Sequence, residues 1–310
     1  MFSVIMPTYN RRQTLLKALQ GYLSQSAMDR IAEILVIDDG SQDGTETSVR
    51  EFCPRSPIPI RYFRQDNRGA AAARNVGIRN AQGSLLLFSD DDVIPGTDMV
   101  KEHFEWQEKF PQPNVAVLGY MAWAPEVHAT PFMRWYGENA LFAYRRVVKL
   151  RELDFYCFYT CNVSVKADFL RSRGMLFDER FKGAAFEDTE LGYRLQKSGL
   201  RILYNRRAVG YHHQNVTFHD ACLRAQWVAQ QWRVFGETEA GRQVKEERAQ
   251  ARPTLRSRVG IWLTRHLGKP LSVLEPLFDS QIPLPTRIYH IAYWYQVPAP
   301  EPSERVLKAA

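Results

Sequence analysis

From Phe2 to Lys109 the chain alternates apolar runs with helical stretches, and nothing else in it constrains the fold as strongly. The apolar runs are "FSVIM", "IAEILVIDDGS", "IPIRYFRQ" and "SLLLFSDDD", and "NVAVLGY" follows at Asn114–Tyr120. Between them, Leu15, Leu16, Leu19 and Leu23 recur at helical spacing, Thr45 to Phe52 reads as a helix, and "GAAAARNVGIRNA" is an Ala-rich helix able to pack closely on a sheet. A further helix is expected from Thr97 to Lys109. Strand–helix alternation of this kind predicts an α/β fold, Rossmann-like, with a mostly parallel central sheet flanked by helices. In such sheets ligands bind beyond the carboxyl ends of the strands. The polar residues that follow the strands are therefore expected to share one edge: Pro7, Thr8, Tyr9 and Asn10; Asp38, Asp39 and Gly40; Asp90, Asp91 and Asp92.

The second half is less regular. Trp135–Arg151 reads as a helix ending in a basic cluster of Arg145, Arg146, Lys149 and Arg151, and "DFYCFYTCNVSV" as a strand. "FEDTELGYRLQKSG" reads as a helix with acids in its first turn and Gly199 past its end, as the helix dipole and αL caps favour. "LRILYN" and "AVGYHH" read as two strands. From Val216 one long helix is expected to about Gln250, then two more, "LRSRVGIWLTRHLG" and "PTRIYHIAYWYQ", and a Pro-rich tail. The expected organisation is a catalytic domain over residues 1–215, with a nucleotide-binding half near 1–120 and an acceptor-binding half near 121–215. A helical C-terminal extension over 216–310 follows, in contact with a membrane, a dimer partner or the catalytic domain.

At 310 residues, 45% hydrophobic and 24% charged, the chain can bury a sizeable core. Its net charge of +7 suits an anionic small ligand or an acidic membrane surface. No basic run interleaved with aromatics marks a nucleic-acid binder. Cys53, Cys157, Cys161 and Cys222 show neither CxxC spacing nor nearby histidines, so neither a structural metal nor a disulfide scaffold is expected. No charged-then-apolar leader and no run of ~18 apolar residues is present. The expected location is the cytoplasm, with peripheral contact on the inner face of the cell membrane.

The chemistry concentrates in carboxylates. Asp90, Asp91 and Asp92 end a buried apolar strand, where three adjacent negative charges gain nothing without a cation; a capping cluster before the next helix is the plainer alternative. Hard divalent cations take one or two protein carboxylates and fill the remainder from phosphates. Asp38 and Asp39 can bind a base or ribose, or close an Asx turn. Glu187 and Asp188 can cap their helix, or one can serve as general base. His212 and His213 follow the last strand, and a neutral imidazole there can complete a metal site.

With those residues in view, the chain resembles inverting nucleotide-sugar glycosyltransferases of family 2, which have the GT-A fold. The resemblance runs in order through "SVIMPTYNR", "EILVIDDGSQDGT", "NRGAAAARNVGIRNAQG", "LLLFSDDDVIP", "TCNVSVKADFL", "GMLFDERFKGAAFEDTELGYRLQKSGLRILYN" and "GYHH". It spans Phe2 to His213 apart from a variable stretch near Met121–Asp154. It implies that Pro7, Thr8, Tyr9, Asp38 and Asp39 hold the nucleotide, together with Arg74, Asp90 and Asp91. It implies Asp92 as the direct ligand of Mn²⁺ or Mg²⁺, with His212 or, preferably, His213 reaching the metal. Asp188 becomes the catalytic base, and Cys161, Asn162 and Glu187 line the acceptor or donor sugar. Two positions depart from the family pattern: Cys161 stands where Gly is usual before the Asn, and Ser89 replaces an apolar residue before the aspartates.

The implied reaction moves a sugar from a nucleoside diphosphate donor, a UDP-sugar by preference, to an acceptor hydroxyl on a carbohydrate or lipid-linked glycan, with inversion. A sugar-phosphate nucleotidyltransferase is an alternative, but "MPTYNRRQT" is not the Gly-rich, Lys-bearing loop that a triphosphate needs. A module that binds nucleotide or sugar without turnover is a second alternative, and intact Asp90, Asp92 and Asp188 argue against it. The C-terminal aromatics Trp262, Tyr289, Tyr293, Trp294 and Tyr295 lie among Arg256, Arg258, Arg265 and Arg287. That mixture suits a helix on an anionic bilayer, a packed helix or a homodimer contact equally.

Overall fold

The computed structural model describes residues 1–142, 144–148, 152–250 and 255–296. Lys149 and Arg151 of the basic cluster, and the Pro-rich tail from 297, lie outside them. The chain divides into two compact units, one of residues 1–126 with 146–214, the other of residues 127–145 with those from 215 onward. The second unit thus begins at 215 and also takes in 127–145, a segment that the sequence places in the acceptor-binding half.

The first unit is built on an eight-stranded sheet: β1 (Phe2–Thr8), β2 (Ile31–Asp38), β3 (Ile60–Arg64), β4 (Leu85–Ser89), β5 (Val93–Pro95), β6 (Val115–Trp123), β7 (Asn162–Lys166) and β8 (Arg201–His212). Their order is β3-β2-β1-β4-β7-β6-β8-β5. β1 pairs parallel with both β2 and β4, β2 with β3, and β6 with β8. β7 runs antiparallel between β4 and β6, and β5 antiparallel to β8. From β1 the chain steps outward through β2 to β3, then returns to lay β4 on β1's other side. That reversal opens a crevice at the carboxyl ends of β1 and β4.

The apolar runs form strands because both faces are covered. Phe2, Val4, Ile5 and Met6 of β1 and Leu86, Leu87 and Phe88 of β4 have no exposed surface. Leu15 and Leu19 of the helix Arg12–Leu23 join Val4, Met6 and Leu87 in one core cluster. On the opposite face Gly77 lets the Ala-rich helix Ala70–Asn80 press onto the sheet: a Cβ there would lie 2.4 Å from Ile5 Cγ2. Each such apolar side chain contributes about 1.5–3 kcal/mol by leaving water.

Three expectations are revised. "LRILYN" and "AVGYHH" are one strand, β8, which a register shift against β6 lets bend without breaking. "DFYCFYTCNVSV" is a strand only from Asn162; Phe155–Cys157 is a 3₁₀ turn. The helix expected from Val216 is two, Phe218–Glu237 and Glu239–Gln250. Thr238 is extended between them. Its hydroxyl donates to the Phe235 carbonyl at 2.6 Å and accepts the Gly241 N–H at 3.0 Å, ending one helix and starting the next.

Beneath β7 lies a buried polar chain. Gln107 Nε2 donates to Ser164 Oγ (2.9 Å), which lies 3.0 Å from His103 Nδ1, and His103 Nε2 lies 2.8 Å from Asn162 Oδ1. Asn162 Nδ2 donates to the carbonyls of Ala208 (2.9 Å) and Tyr120 (3.2 Å), which assigns the proton to His103 Nε2. Burial lowers the pKa of His103 to about 4. A histidine whose folded pKa is depressed stabilises fully above its unfolded value, ~6.5, and loses that contribution as pH falls toward the folded one. Stability is therefore expected to drop by on the order of 3 kcal/mol between pH 6.5 and 4 from this group alone. Urea denaturation across that range should show the drop in the wild type and a flatter profile in His103→Gln. Equal slopes would show that His103 does not carry it.

In the second unit the C-terminal aromatics divide. Tyr289 and Tyr293 are buried against Trp135, and Phe132 meets Phe218 edge-to-face with ring centroids 5.2 Å apart, Phe218 itself lying 4.5 Å from Phe278. Trp262 is exposed and stacks on His266. No described helix is long and apolar enough to cross a membrane.

Candidate active site

The β1–β4 crevice collects the aspartate trio. Thr8, the last residue of β1, donates its hydroxyl to Asp91 Oδ2 at 2.7 Å, so Asp91 ties the two strand ends together. Burial and neighbouring Asp92 raise the pKa of Asp91. Arg11, three residues beyond β1, pairs with Asp91 Oδ1 (3.3 Å) and closely with Asp92 Oδ2. Pro7 is half-buried, and the Tyr9 ring is exposed beside them.

The strand register brings a histidine to the same place. β5 follows the trio directly and pairs Val93 with His212 of β8. His212 Nε2 lies 3.5 Å from Asp92 Oδ2. Consecutive side chains at a strand end point to opposite faces, so only one of the two histidines can turn to Asp92. The preferred candidate, His213, is placed differently. Its backbone N–H donates to the Asp92 carbonyl (2.7 Å), but its ring meets Lys17 Nζ at 3.1 Å.

Across the crevice, Arg74 is almost wholly buried in the Ala-rich helix. It donates to Asp90 Oδ1 at 2.8 Å and to Glu187 Oε1 at 2.9 Å. Burial alone would lower its pKa, but Asp90, Glu187 and Asp188 outweigh that and raise it. Glu187 is 3% exposed, and burial together with Asp188 raises its pKa despite Arg74. Its second oxygen, Oε2, has no hydrogen-bond partner among the described residues. Asp188 opens the helix Glu187–Lys197, and its Oδ1 accepts the Thr189 N–H at 2.7 Å. Burial raises its pKa as well, against the opposing pull of Arg74. Phe186, just before this pair, holds φ at +67°, a left-handed conformation uncommon for a bulky residue and one that fixes the turn presenting both acids.

Cys161 lies within electrostatic reach of Asp90, Asp188, Arg74 and Asp92. Burial first, then Asp90 and Asp188, push its thiol pKa well up, so the sulfur stays protonated. Asn162, expected beside the sugar, is fully buried, with its amide committed to His103, Tyr120 and Ala208. β7 alternates at this point, so its first residue turns into the protein.

Asp38 and Asp39 form the wall after β2. Asp38 is fully buried; it accepts from the Ser41 N–H (2.7 Å), the Tyr62 hydroxyl (2.5 Å) and Arg64 (3.3 Å). Asp39 accepts from Gln65 (2.7 Å) and from the N–H groups of Arg68 and Gly69 (2.8 Å each). Both carboxylates thus fix the loops around the crevice. Sequence reasoning passed over Arg11, Tyr62, Arg64 and Lys17. Arg11 was findable: a crowded acidic trio at a sheet edge needs a counter-charge, and Arg11 follows the neighbouring strand end.

No group of three or more His, Cys, Asp and Glu side chains stands preassembled around a metal among the described residues. Asp92 Oδ2 and His212 Nε2 nevertheless present an oxygen and a nitrogen at one point. That pair fits a divalent cation whose remaining ligands come from phosphates.

The family model described as Glycosyl transferase family 2 matches residues 3–170, more than half of the chain. Validoxylamine A glucosyltransferase of Streptomyces hygroscopicus subsp. limoneus is 33% identical over 246 residues, covering 71% of this chain and 53% of that protein. The chain spans about half the length of curated relatives of this kind. Mannosyltransferase PcManGT from Pyrobaculum calidifontis, solved with GDP-Man and Mn²⁺, superposes with a TM-score of 0.56 at 17% identity, over 95% of this chain and 86% of that one. S. aureus TarS 1-349, solved with UDP, gives 0.54 at 17% identity, over 95% and 89%. At that identity the two structures bear on fold, and they share this chain's GT-A-type architecture.

Proposed function

The chain belongs to glycosyl transferase family 2, and on that premise we propose that it transfers a sugar from a nucleoside diphosphate donor, UDP-linked by preference, to an acceptor hydroxyl with inversion. The observation that carries this reading is the convergence, through Arg74, of Asp90 after β4 with the Glu187–Asp188 pair on a separate helix. A cation-binding edge and a basic carboxylate thereby flank one crevice.

Asp188 takes the proton from the attacking hydroxyl. Its raised pKa makes it a stronger base than an exposed aspartate. Arg74 orients Asp90 and keeps Glu187 in place. A neutral Cys161 thiol and a Glu187 held by Arg74 leave Asp188 as the base, which supports one displacement and hence inversion. Asp92 and His212 would hold a divalent cation. When bound, the cation supplies Lewis-acid stabilisation of the charge that develops on the leaving diphosphate. The Mn²⁺ in the PcManGT complex and the UDP in the TarS complex support this assignment by analogy of fold.

The test is a thermal-shift series with UDP, GDP, ADP and CDP, each with and without Mn²⁺. One nucleoside diphosphate is expected to raise Tm by several degrees in the presence of Mn²⁺, because a ligand that binds only the folded state stabilises it by mass action. Asp92→Ala should remove the metal-dependent part of that shift. A metal-independent shift, unchanged in Asp92→Ala, would contradict the assignment of the trio.

A further inference from the structure

Arg11 and a divalent cation need the same carboxylate oxygen. Arg11 Nη1 contacts Asp92 Oδ2, the atom that His212 Nε2 also faces at 3.5 Å. A cation bonded to that oxygen at ~2.1 Å leaves no room for a guanidinium hydrogen-bonded to it, and the two positive charges repel.

The base of Arg11 is fixed, while its head is partly open to solvent. Asn10 sits in the left-handed region at φ +51°. Its N–H donates to Ser41 Oγ and its Oδ1 accepts the Gln42 N–H, both at 2.8 Å. The Arg12 N–H donates to Asp43 at 2.9 Å. The backbone on either side of Arg11 is therefore laced to the loop after β2. The Arg11 side chain itself is 43% exposed, so it can leave the carboxylates without disturbing that lacing.

We propose that Arg11 is a resident counter-ion of the aspartate trio that exchanges places with the cation only when a nucleoside diphosphate arrives to receive it. The inference rests on the donor and metal assignment above. A guanidinium pairs as well with a phosphate as with a carboxylate. Leaving Asp92 for a diphosphate oxygen therefore costs Arg11 little, whereas leaving it for water costs an ion pair. Cation and nucleotide then bind as a coupled pair, and the coupling is reciprocal. Arg11 offsets the charge of Asp91 and Asp92 before loading, and the cation offsets that of Asp92 after it.

The test measures Mn²⁺ binding directly, from the free-Mn²⁺ electron paramagnetic resonance signal, on the full chain with no acceptor present. Wild type, Arg11→Gln and Arg11→Lys are titrated with Mn²⁺ alone and then with saturating UDP. Arg11→Gln is expected to bind Mn²⁺ alone at least about ten-fold tighter than wild type. The factor by which UDP strengthens Mn²⁺ binding should shrink by a similar amount. Arg11→Lys, which keeps the charge, should stay near wild type and provides the readout where the Gln variant folds poorly. The proposal is overturned if Arg11→Gln binds Mn²⁺ alone no more tightly than wild type while UDP still recruits Mn²⁺ to both. If no nucleoside diphosphate recruits Mn²⁺ to the wild type, the metal assignment falls first and this inference with it.

Discussion

Asp188→Asn is expected to lower kcat by about a thousand-fold while leaving nucleoside diphosphate affinity within about three-fold of wild type. The asymmetry follows from what Asp188 touches. Its carboxylate accepts from Thr189, at the start of its own helix, and Arg74 spends its hydrogen bonds on Asp90 and Glu187. Asn keeps the shape and can still accept from the Thr189 N–H, so the crevice should not rearrange. What disappears is the ability to take a proton. Turnover is read as nucleotide release with acceptor in excess, and affinity by calorimetry. Because burial raises the pKa of Asp188, the wild-type kcat/KM should fall on the acid side at a higher pH than an ordinary aspartate would give. The residual activity of Asp188→Asn should lack that limb. Retention of more than about a tenth of wild-type kcat would move the base to another group, and Glu187 is the neighbour to examine.

The parts of this site legible in the sequence are those fixed by strand ends. Thr8, Asp38 and Asp90–Asp92 each follow an apolar run, and parallel topology alone brings such positions to one edge. Arg74 is not legible from pattern and comes from the ordered resemblance, since nothing in helical periodicity says that an Arg in an Ala-rich helix meets a carboxylate 113 residues away; the Glu187–Asp188 pair is legible as a cap or a candidate base, and the resemblance selects Asp188. His212 against His213 turned on register. A shift of one residue in the β5–β8 pairing exchanges which ring faces Asp92, and register depends on contacts distant in sequence. The burial of Asn162 is hidden for a related reason. Its amide answers His103 and the carbonyls of two other strands, partners that exist only once β6, β7 and β8 are assembled. The break at Thr238 was readable in principle from the small polar pair Gly236 and Thr238, but the apolar spacing on either side continues the helical pattern and hides it.

Arg74→Met is expected to destabilise the first unit by about 3–5 kcal/mol near pH 8, and by distinctly less near pH 5. Arg74 is 3% exposed in its side chain and bridges Asp90, 33% exposed, to Glu187, also 3% exposed. Without it, Asp90 can turn to water but Glu187 cannot, and a buried carboxylate with no partner is expensive. Burial and neighbouring Asp188 already raise the pKa of Glu187 above the ordinary carboxylate range, with Arg74 opposing them. A carboxyl whose folded pKa is raised contributes its full stability below the unfolded value and loses it as pH climbs through the folded one. Removing Arg74 raises that folded pKa further, so the deficit of the variant should widen only as pH climbs through the wild-type folded value toward the variant's higher one; below it both proteins hold Glu187 protonated and lose stability alike. Denaturant titrations at pH 5 and pH 8 test the sign. Adding Glu187→Gln to Arg74→Met should recover part of the loss at pH 8 and little at pH 5, because the second substitution removes a charge that is present only at the higher pH. A deficit independent of pH would mean that Arg74 stabilises through packing, against Phe177 beneath its guanidinium, and not through the buried pair. The catalytic consequence follows from the same geometry: among the described residues Arg74 is the side chain bonded to both the trio and the helix of Asp188, so its loss should lower kcat even in the double variant whose stability is partly recovered.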